Sequence, residues 1–381
     1  MRDVLDDLQR WRDRGEPVGM ATVVGTWRSA PRPAGATMLV GPDGSVSGSV
    51  SGGCVEGAVY ELAQEAVTTG RPRLERYGVS DEDAFAVGLT CGGILDVYVE
   101  RVDDRSFPEL AEVTGAIRRR TPVALATCVG VPEEPAGGDP ARRLGRHLVV
   151  GHDLASGTLG SERLDAAVVD DVGGMLATNR TGTLLYGYDG ERRGDALSVF
   201  VASYGAPPRM IVFGAIDFAA ATARMGTFLG YRVTVCDARP VFATRSRFPE
   251  VDEVVVAWPN RYLETEAAAG RLDERTVVCV LTHDPRFDAP VLEVALRLPL
   301  GYVGAMGSRR THDDRIVRLR KAGLTEDELA RLSAPTGLDL GARTPEETAV
   351  SIAAEIIAGR WGGSGKRLSE LAGRIHHDPT T

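Results

Sequence analysis

The chain opens with a helical pattern, as Val4, Leu5, Leu8 and Trp11 recur on one face of an amphipathic segment. Apolar runs too short for helices come next. Residues 18–25 read as a strand, and so do the runs 37–41 and 45–50, joined by the turn Pro42-Asp43-Gly44. Val55, Ala58, Val59, Leu62, Ala63 and Ala66 then return to helical spacing. Residues 94–100 predict a further strand, 107–119 a helix, and 123–129, 147–150 and 182–188 strands. A polar Pro/Gly segment over 131–143 reads as a mobile loop. No internal repeat stands out.

After Gly205-Ala206-Pro207-Pro208 the pattern becomes strand–helix alternation, the signature of a parallel sheet. Strands are predicted at 210–213, 232–236, 253–256, 276–281 and 302–303, with helices at 218–229, 289–296 and 309–321. Thr325 and Glu328 have capping-box spacing, with Leu324 and Leu329 placed as a hydrophobic staple. Thr344 and Glu347 repeat the box with Pro345 at the first helical position. Ala349, Ile352, Ala353, Ile356 and Ile357 form the expected buried stripe. The fold class is therefore α/β: an N-terminal α/β domain (1–203, its informative part 15–100), a linker (204–208), a Rossmann-like parallel-sheet domain (209–360) and a polar tail (361–381).

Length agrees, since 381 residues exceed one ordinary core. A net charge of −9 argues against nucleic acid or an anionic membrane as partner. The N-terminus lacks the apolar stretch of a signal peptide, and no stretch is long enough to span a membrane. Five cysteines without a CxxC pair exclude a disulfide framework or structural zinc, so a reduced, cytoplasmic protein is expected. Cys128, Cys236 and Cys279 fall in apolar strands and read as core. There is no GxSxG or HExxH. His147 and His152 lack partners at ligand spacing, and the adjacent His376 and His377 read as solvated.

Chemistry concentrates elsewhere. In Ser51-Gly52-Gly53-Cys54 a thiol stands behind two glycines at a predicted helix start, with Ser51 as N-cap. A thiol in the first helical turn faces unpaired amides, which favour the thiolate, the form that ligates metals and attacks electrophiles. Cys91 likewise adjoins a glycine pair, Gly92-Gly93. Arg28 and Arg32 lie in a rigid proline loop ending at Gly35, where they could meet a phosphate. In the second half, Gly214-Ala215-Ile216-Asp217 occupies the position of a dinucleotide-binding loop, and Asp237 ends the next strand, where an acid takes a ribose hydroxyl. Ile216 stands where the second glycine belongs, and Asp217 adds a negative charge where phosphate would sit. His283 beside Asp284 suits acid–base work, and Gly307-Ser308-Arg309 suits a phosphate.

Several of these strings resemble one family. The loop 31–35, the Gly52-Gly53-Cys54 turn and Cys91-Gly92-Gly93 resemble the N-terminal part of XdhC/CoxI proteins. Asp237-Ala238-Arg239-Pro240, Arg247-Phe248-Pro249, Thr282-His283-Asp284, and the strings 302–310, 335–341 and 344–347 are similar to their Rossmann domain. The resemblance implies an accessory factor, not an enzyme. Such proteins bind molybdenum cofactor (molybdopterin, as the monophosphate or a dinucleotide), present it for replacement of an oxo by a sulfido ligand, and deliver it to a hydroxylase of the xanthine or carbon monoxide dehydrogenase type. By resemblance Cys54 is the cofactor-binding cysteine and the ligand of molybdenum, with Gly52, Gly53 and Cys91 beside it. Arg28 and Arg32 would meet the pterin phosphate. Gly214, Asp237, His283, Gly307, Ser308 and Arg309 would hold a phosphate or nucleotide end. The expected partners are the hydroxylase client, a cysteine desulfurase as sulfur donor and a second copy of the chain. Many members carry a GAGH-like loop where this chain has Gly214-Ala215-Ile216-Asp217, which weakens NAD(P) as a ligand. Two alternatives remain from the residues alone: an NAD(P)-dependent oxidoreductase, and a thiol sulfurtransferase using Cys54.

Overall fold

The computed structural model describes residues 1–27, 30–78, 93–131, 143–152, 155–282 and 284–372. Arg28, Cys91, His283, His376, His377 and most of the loop expected at 131–143 lie outside the described residues. The chain divides into two compact units, Met1–Ala206 and Pro207–Thr381.

The first unit is built twice on one plan. Its first half runs α1 (Leu5–Arg12), β1 (Val18–Trp27), β2 (Thr37–Val40), β3 (Val46–Gly48), α2 (Glu56–Thr69), β4 (Arg73–Tyr77) and β5 (Ile94–Val102). Its second half runs α3 (Leu110–Arg118), β6 (Val123–Gly130), β7 (His147–Gly151), β8 (Ala155–Gly157), α4 (Glu162–Ala177), β9 (Gly182–Tyr186) and β10 (Leu197–Tyr204). The sheets are ordered β3-β2-β1-β5-β4 and β8-β7-β6-β10-β9, both antiparallel. This corrects the expectation of no repeat, and the correspondence reaches single residues. Val18, Ala21, Thr22, Val24 and Gly25 of β1 stand against the identical Val123, Ala126, Thr127, Val129 and Gly130 of β6. Each strand bulges at the same place, skipping Val24 and Val129 in the register with its neighbour. Gly48 and Gly157 both take positive φ, +77° and +89°, where a Cβ would come within 2.3 and 2.4 Å of the carbonyls of Thr37 and His147.

Strand alternation sorts the apolar residues onto two faces. Val18, Met20 and Val24 join Val123, Leu125 and Val129 in one core shared by both sheets with α1 and α3. Ala21 and Val23 face α2, and Ala126 and Cys128 face α4, on the outer sides.

The second unit is a parallel sheet. It runs β11 (Arg209–Phe213), α5 (Asp217–Phe228), β12 (Arg232–Asp237), β13 (Glu253–Val256), α6 (Pro259–Ala268), β14 (Val277–Val280), α7 (Pro285–Arg297), β15 (Tyr302–Ala305), α8 (Arg309–Lys321), α9 (Glu326–Ala330), β16 (Leu332–Ser333) and α10 (Pro345–Trp361). The strand order, β13-β12-β11-β14-β15-β16, is that of dinucleotide-binding folds. Both capping boxes form. Ile357 leaves the expected stripe. It is 44% exposed while Ile352 and Ile356 are buried, because one residue past Ile356 the helix surface has turned about 100° away from the core. Among the described residues no helix is long and apolar enough to cross a membrane.

Candidate functional site

The segment between β3 and α2 is an open loop, not a helical turn. Gly52 and Gly53 have φ of +83° and +122°, conformations that glycine adopts freely and other residues rarely do. Both are exposed, and a Cβ on either would meet nothing within 4 Å. Helix α2 therefore starts only at Glu56, with Val55 as an N-cap that makes no side-chain bond. The expectation of Ser51 as N-cap and Cys54 in the first turn is corrected on both points: Cys54 precedes the cap.

The loop's hydrogen bonds all point inward. One Glu56 carboxylate oxygen accepts from Ser49 Oγ at 2.7 Å, Ser51 N at 2.8 Å and Gly52 N at 2.9 Å. The other accepts from Ser51 Oγ, from Gly53 N at 2.8 Å and from Val55 N at 3.2 Å. Ser51 Oγ in turn accepts from Cys54 N at 2.9 Å and Val55 N at 3.1 Å. Burial raises the Glu56 carboxyl, but the Ser51 and Ser49 hydroxyls and the Ser51 amide outweigh it, and the pKa falls to about 2. The amides that the sequence pattern offered to a thiolate or a phosphate are thus taken by a carboxylate of the protein's own. The loop leaves Cys54 partly exposed, its thiol free of any disulfide.

Cys54 packs against the core between the first sheet and α2, and Ala30 of the proline loop reaches the same core. The two N-terminal motifs therefore meet on one cluster. Arg32 is engaged with Asp3, its Nη2 3.2 Å from the carboxylate. The other described cysteines are sealed: burial pushes Cys128 up to about 11 and Cys236 and Cys279 up to about 12. His147 is buried. Its Nε2 lies 3.1 Å from Glu100 Oε2 inside the shared core, and its ring stacks on Phe107 at 3.8 Å. No group of three or more potential ligand side chains that could hold a metal ion occurs among the described residues.

In the second unit the expected ligand-binding groups are largely turned to internal work. Gly214 has φ of +112°, and a Cβ there would come within 3.1 Å of the backbone of Leu281, so the glycine serves close packing of β11 on β14. Asp237 is buried. Its carboxylate accepts from Ala215 N at 2.9 Å and is clasped by Arg239 at 2.7 Å, so it fastens its own loop where a ribose was expected. Burial opposes its ionisation, but the Arg239 bonds hold its pKa below the ordinary value. Asp217 is the first residue of α5, not its cap, and pairs with Arg247 at 3.3 Å. Ser308 caps α8 by accepting from Thr311 N, and Arg309 is exposed.

The sequence pattern alone did not reveal two groups. Glu56 could have been found from its acid placed at a helix start just after two glycines. The other is a buried pair beneath the 304–308 loop, where Arg315 Nη2 lies 3.1 Å from Asp288 and donates to the Met306 carbonyl. Thr282 Oγ1 donates to the same aspartate. Desolvation lifts Asp288 to about 6 despite the arginine. A hint lay in the charges set among the apolar residues of α7 and α8.

Comparison with known proteins agrees with this architecture. The model of the XdhC Rossmann domain matches residues 210–356. The model of the XdhC and CoxI family matches 11–78 and 116–187, corresponding stretches of the two repeats. The chain is 27% identical over 346 residues to the molybdenum cofactor insertion chaperone PaoD of Escherichia coli, across 91% of this chain and 84% of PaoD. It is also 27% identical over 350 residues to a Bacillus subtilis protein described as a probable xanthine dehydrogenase subunit, across 91% and 94%. A crystal structure of a xanthine dehydrogenase from Bacillus halodurans has the same fold, with a TM-score of 0.68 at 24% identity over 93% of this chain and 95% of that one. With both family models matched in chain order on a repeat unit and a parallel-sheet unit, the chain belongs to the XdhC/CoxI family.

Proposed function

We propose that this protein is a maturation factor that binds molybdenum cofactor as cargo, supports its sulfuration and delivers it to a molybdenum hydroxylase of the xanthine or carbon monoxide dehydrogenase type. The observation that carries this reading is the Cys54 loop, where every amide from Ser51 to Val55 is already bonded and a thiol is what remains to offer. A thiolate is a metal ligand, whereas a loop without free amides is a poor phosphate cradle. The grip is therefore on the metal side of the cargo, through Cys54 Sγ. Gly52 and Gly53 leave open space above the loop for the rest of the molecule. Arg32 would meet the pterin phosphate by exchanging its Asp3 partner. The hard chemistry belongs to the cofactor, and the protein supplies binding and shelter without turnover of its own. The sulfur would come from a cysteine desulfurase. The names of PaoD and of the Bacillus subtilis relative support the client class.

The test is anaerobic purification of wild type and Cys54→Ala, with molybdenum measured by mass spectrometry and pterin by fluorescence after oxidation. Cys54→Ala should lose at least tenfold of both, while its thermal midpoint stays with that of wild type. Equal retention in the two proteins would remove the assignment.

A further inference from the structure

We infer that Glu56 is the positioning residue of the cargo loop: it holds the residues before α2 unwound so that Cys54 stays outside the helix and partly exposed. This rests on the reading of Cys54 as the cargo ligand. The two repeats, set side by side, carry it. Gly48 and Gly157 align, and so do Ser49 with Thr158, Val55 with Leu164 and Glu56 with Asp165. In both copies the hydroxyl after the glycine donates to the acid: Ser49 to Glu56 at 2.7 Å, Thr158 to Asp165 at 2.6 Å. The latch is common to the fold.

Beyond the latch the two copies part. In the second repeat the chain goes straight into α4, with Ser161 as N-cap accepting from Leu164 N. Arg163 stands at the place of Cys54, on the exposed surface of a regular helical turn. Among the described residues, the Asp165 carboxylate accepts only from Thr158 Oγ1 and Leu159 N. In the first repeat Gly52 and Gly53 undo that turn, and α2 starts about one turn later. With that turn undone, the Glu56 carboxylate collects the amides of residues 51–53 and 55, four in all. An N-cap side chain normally satisfies one amide at the helix start. Reaching back over the whole loop serves no need of the helix. It fixes one loop conformation where two glycines alone would leave many.

The test uses the full-length protein with Cys91→Ser: alkylation by iodoacetamide is read on the apo form, and retained molybdenum and pterin on anaerobically purified protein. Glu56→Gln keeps the side-chain length but turns one acceptor oxygen into a donor facing amide N–H groups. It should change the alkylation rate of Cys54 at least threefold and lower retained molybdenum and pterin at least fivefold, with the buried cysteines still protected. The triple change Ser51→Gly, Gly52→Ser, Gly53→Glu writes the second repeat's turn into the first and keeps Cys54. In that background Glu56→Gln should no longer alter the alkylation rate, because the loop through which it acts has gone. Unchanged alkylation and retention in Glu56→Gln overturn the inference, as does an equal effect in both backgrounds. If alkylation changes but neither Glu56→Gln nor Cys54→Ala alters retention, Glu56 holds the loop yet the cargo reading falls. Should Glu56→Gln fail to fold, Glu56→Asp keeps the charge on a shorter arm. A Cys54 alkylation rate at least twofold different from wild type then supports the role, and a wild-type rate with wild-type retention overturns it.

Discussion

Cys54 shares its chemistry with Cys128, Cys236 and Cys279, and differs in where the fold puts it. The three strand cysteines are fully buried in apolar clusters, where the thiol acts as a small hydrophobe. Their pKa values of about 11, 12 and 12 mean that at pH 8 they are protonated as well as shielded. Cys54 is partly exposed on its loop. A Cys91→Ser protein treated with iodoacetamide at pH 8 should therefore take one label while folded, on Cys54, and four after denaturation, read by intact mass. A label on a strand cysteine in the folded protein would contradict this placement. At this scale the sequence was legible where burial alone decides. The apolar strand runs that contain them sufficed to place Cys128, Cys236 and Cys279 in the core. It was not legible for Glu56 or Asp237, whose partners are set by backbone conformations and by neighbouring strands.

The elements that read most clearly from the sequence were those closed by local bonds. The boxes at Thr325–Glu328 and Thr344–Glu347 need only residues three apart, and both form. The repeat was equally present in the strings 18–25 and 123–130, but the next strand starts at Thr37 in one copy and His147 in the other, so the spacing drifts. Helices α2 and α4 share apolar spacing more than residues, which hides them further. Comparing the repeats gives a prediction about glycines. Gly48 and Gly52 both have positive φ, but a Cβ on Gly48 would strike the Thr37 carbonyl at 2.3 Å, while one on Gly52 meets open space. Gly52→Ala thus carries the backbone penalty alone, about 1 kcal/mol, a fall of roughly 2–4 °C in thermal midpoint for a unit of this size. Gly48→Ala adds a steric clash and should cost at least twice as much. Melting curves of the two variants decide it, and equal losses would mean that the loop over Gly52 is packed after all.

For the molecule as a whole, an antiparallel repeat unit carries the thiol and a parallel sheet carries a fold usually devoted to dinucleotides. The parallel sense of that sheet was implied by strand–helix alternation, since parallel strands need crossovers and helices provide them. What the fold name leaves open is whether the crevice still grips a nucleotide. A dinucleotide loop works through close backbone approach to the pyrophosphate, a helix N-terminus free to face it, and an acid free to take the ribose. Here Ile216 replaces the approach glycine, and Asp237 has its oxygens on Ala215 N and Arg239. Asp217 puts a charge at the start of α5, but Arg247 at 3.3 Å offsets part of it. NADH should therefore bind weakly, and the main obstacle should be steric. Ile216→Gly with Asp217→His should tighten NADH at least tenfold, which corresponds to about 1.4 kcal/mol. Because Arg247 already answers the aspartate, Ile216→Gly alone should account for most of that gain and Asp217→Asn for little. Calorimetry on the wild type, the two single variants and the double variant separates the contributions. A dominant gain from Asp217→Asn would mean that the paired charge still governs the mouth of the loop. Tight NADH binding by the wild type would mean that the second unit holds its ligand through groups other than Gly214 and Asp237.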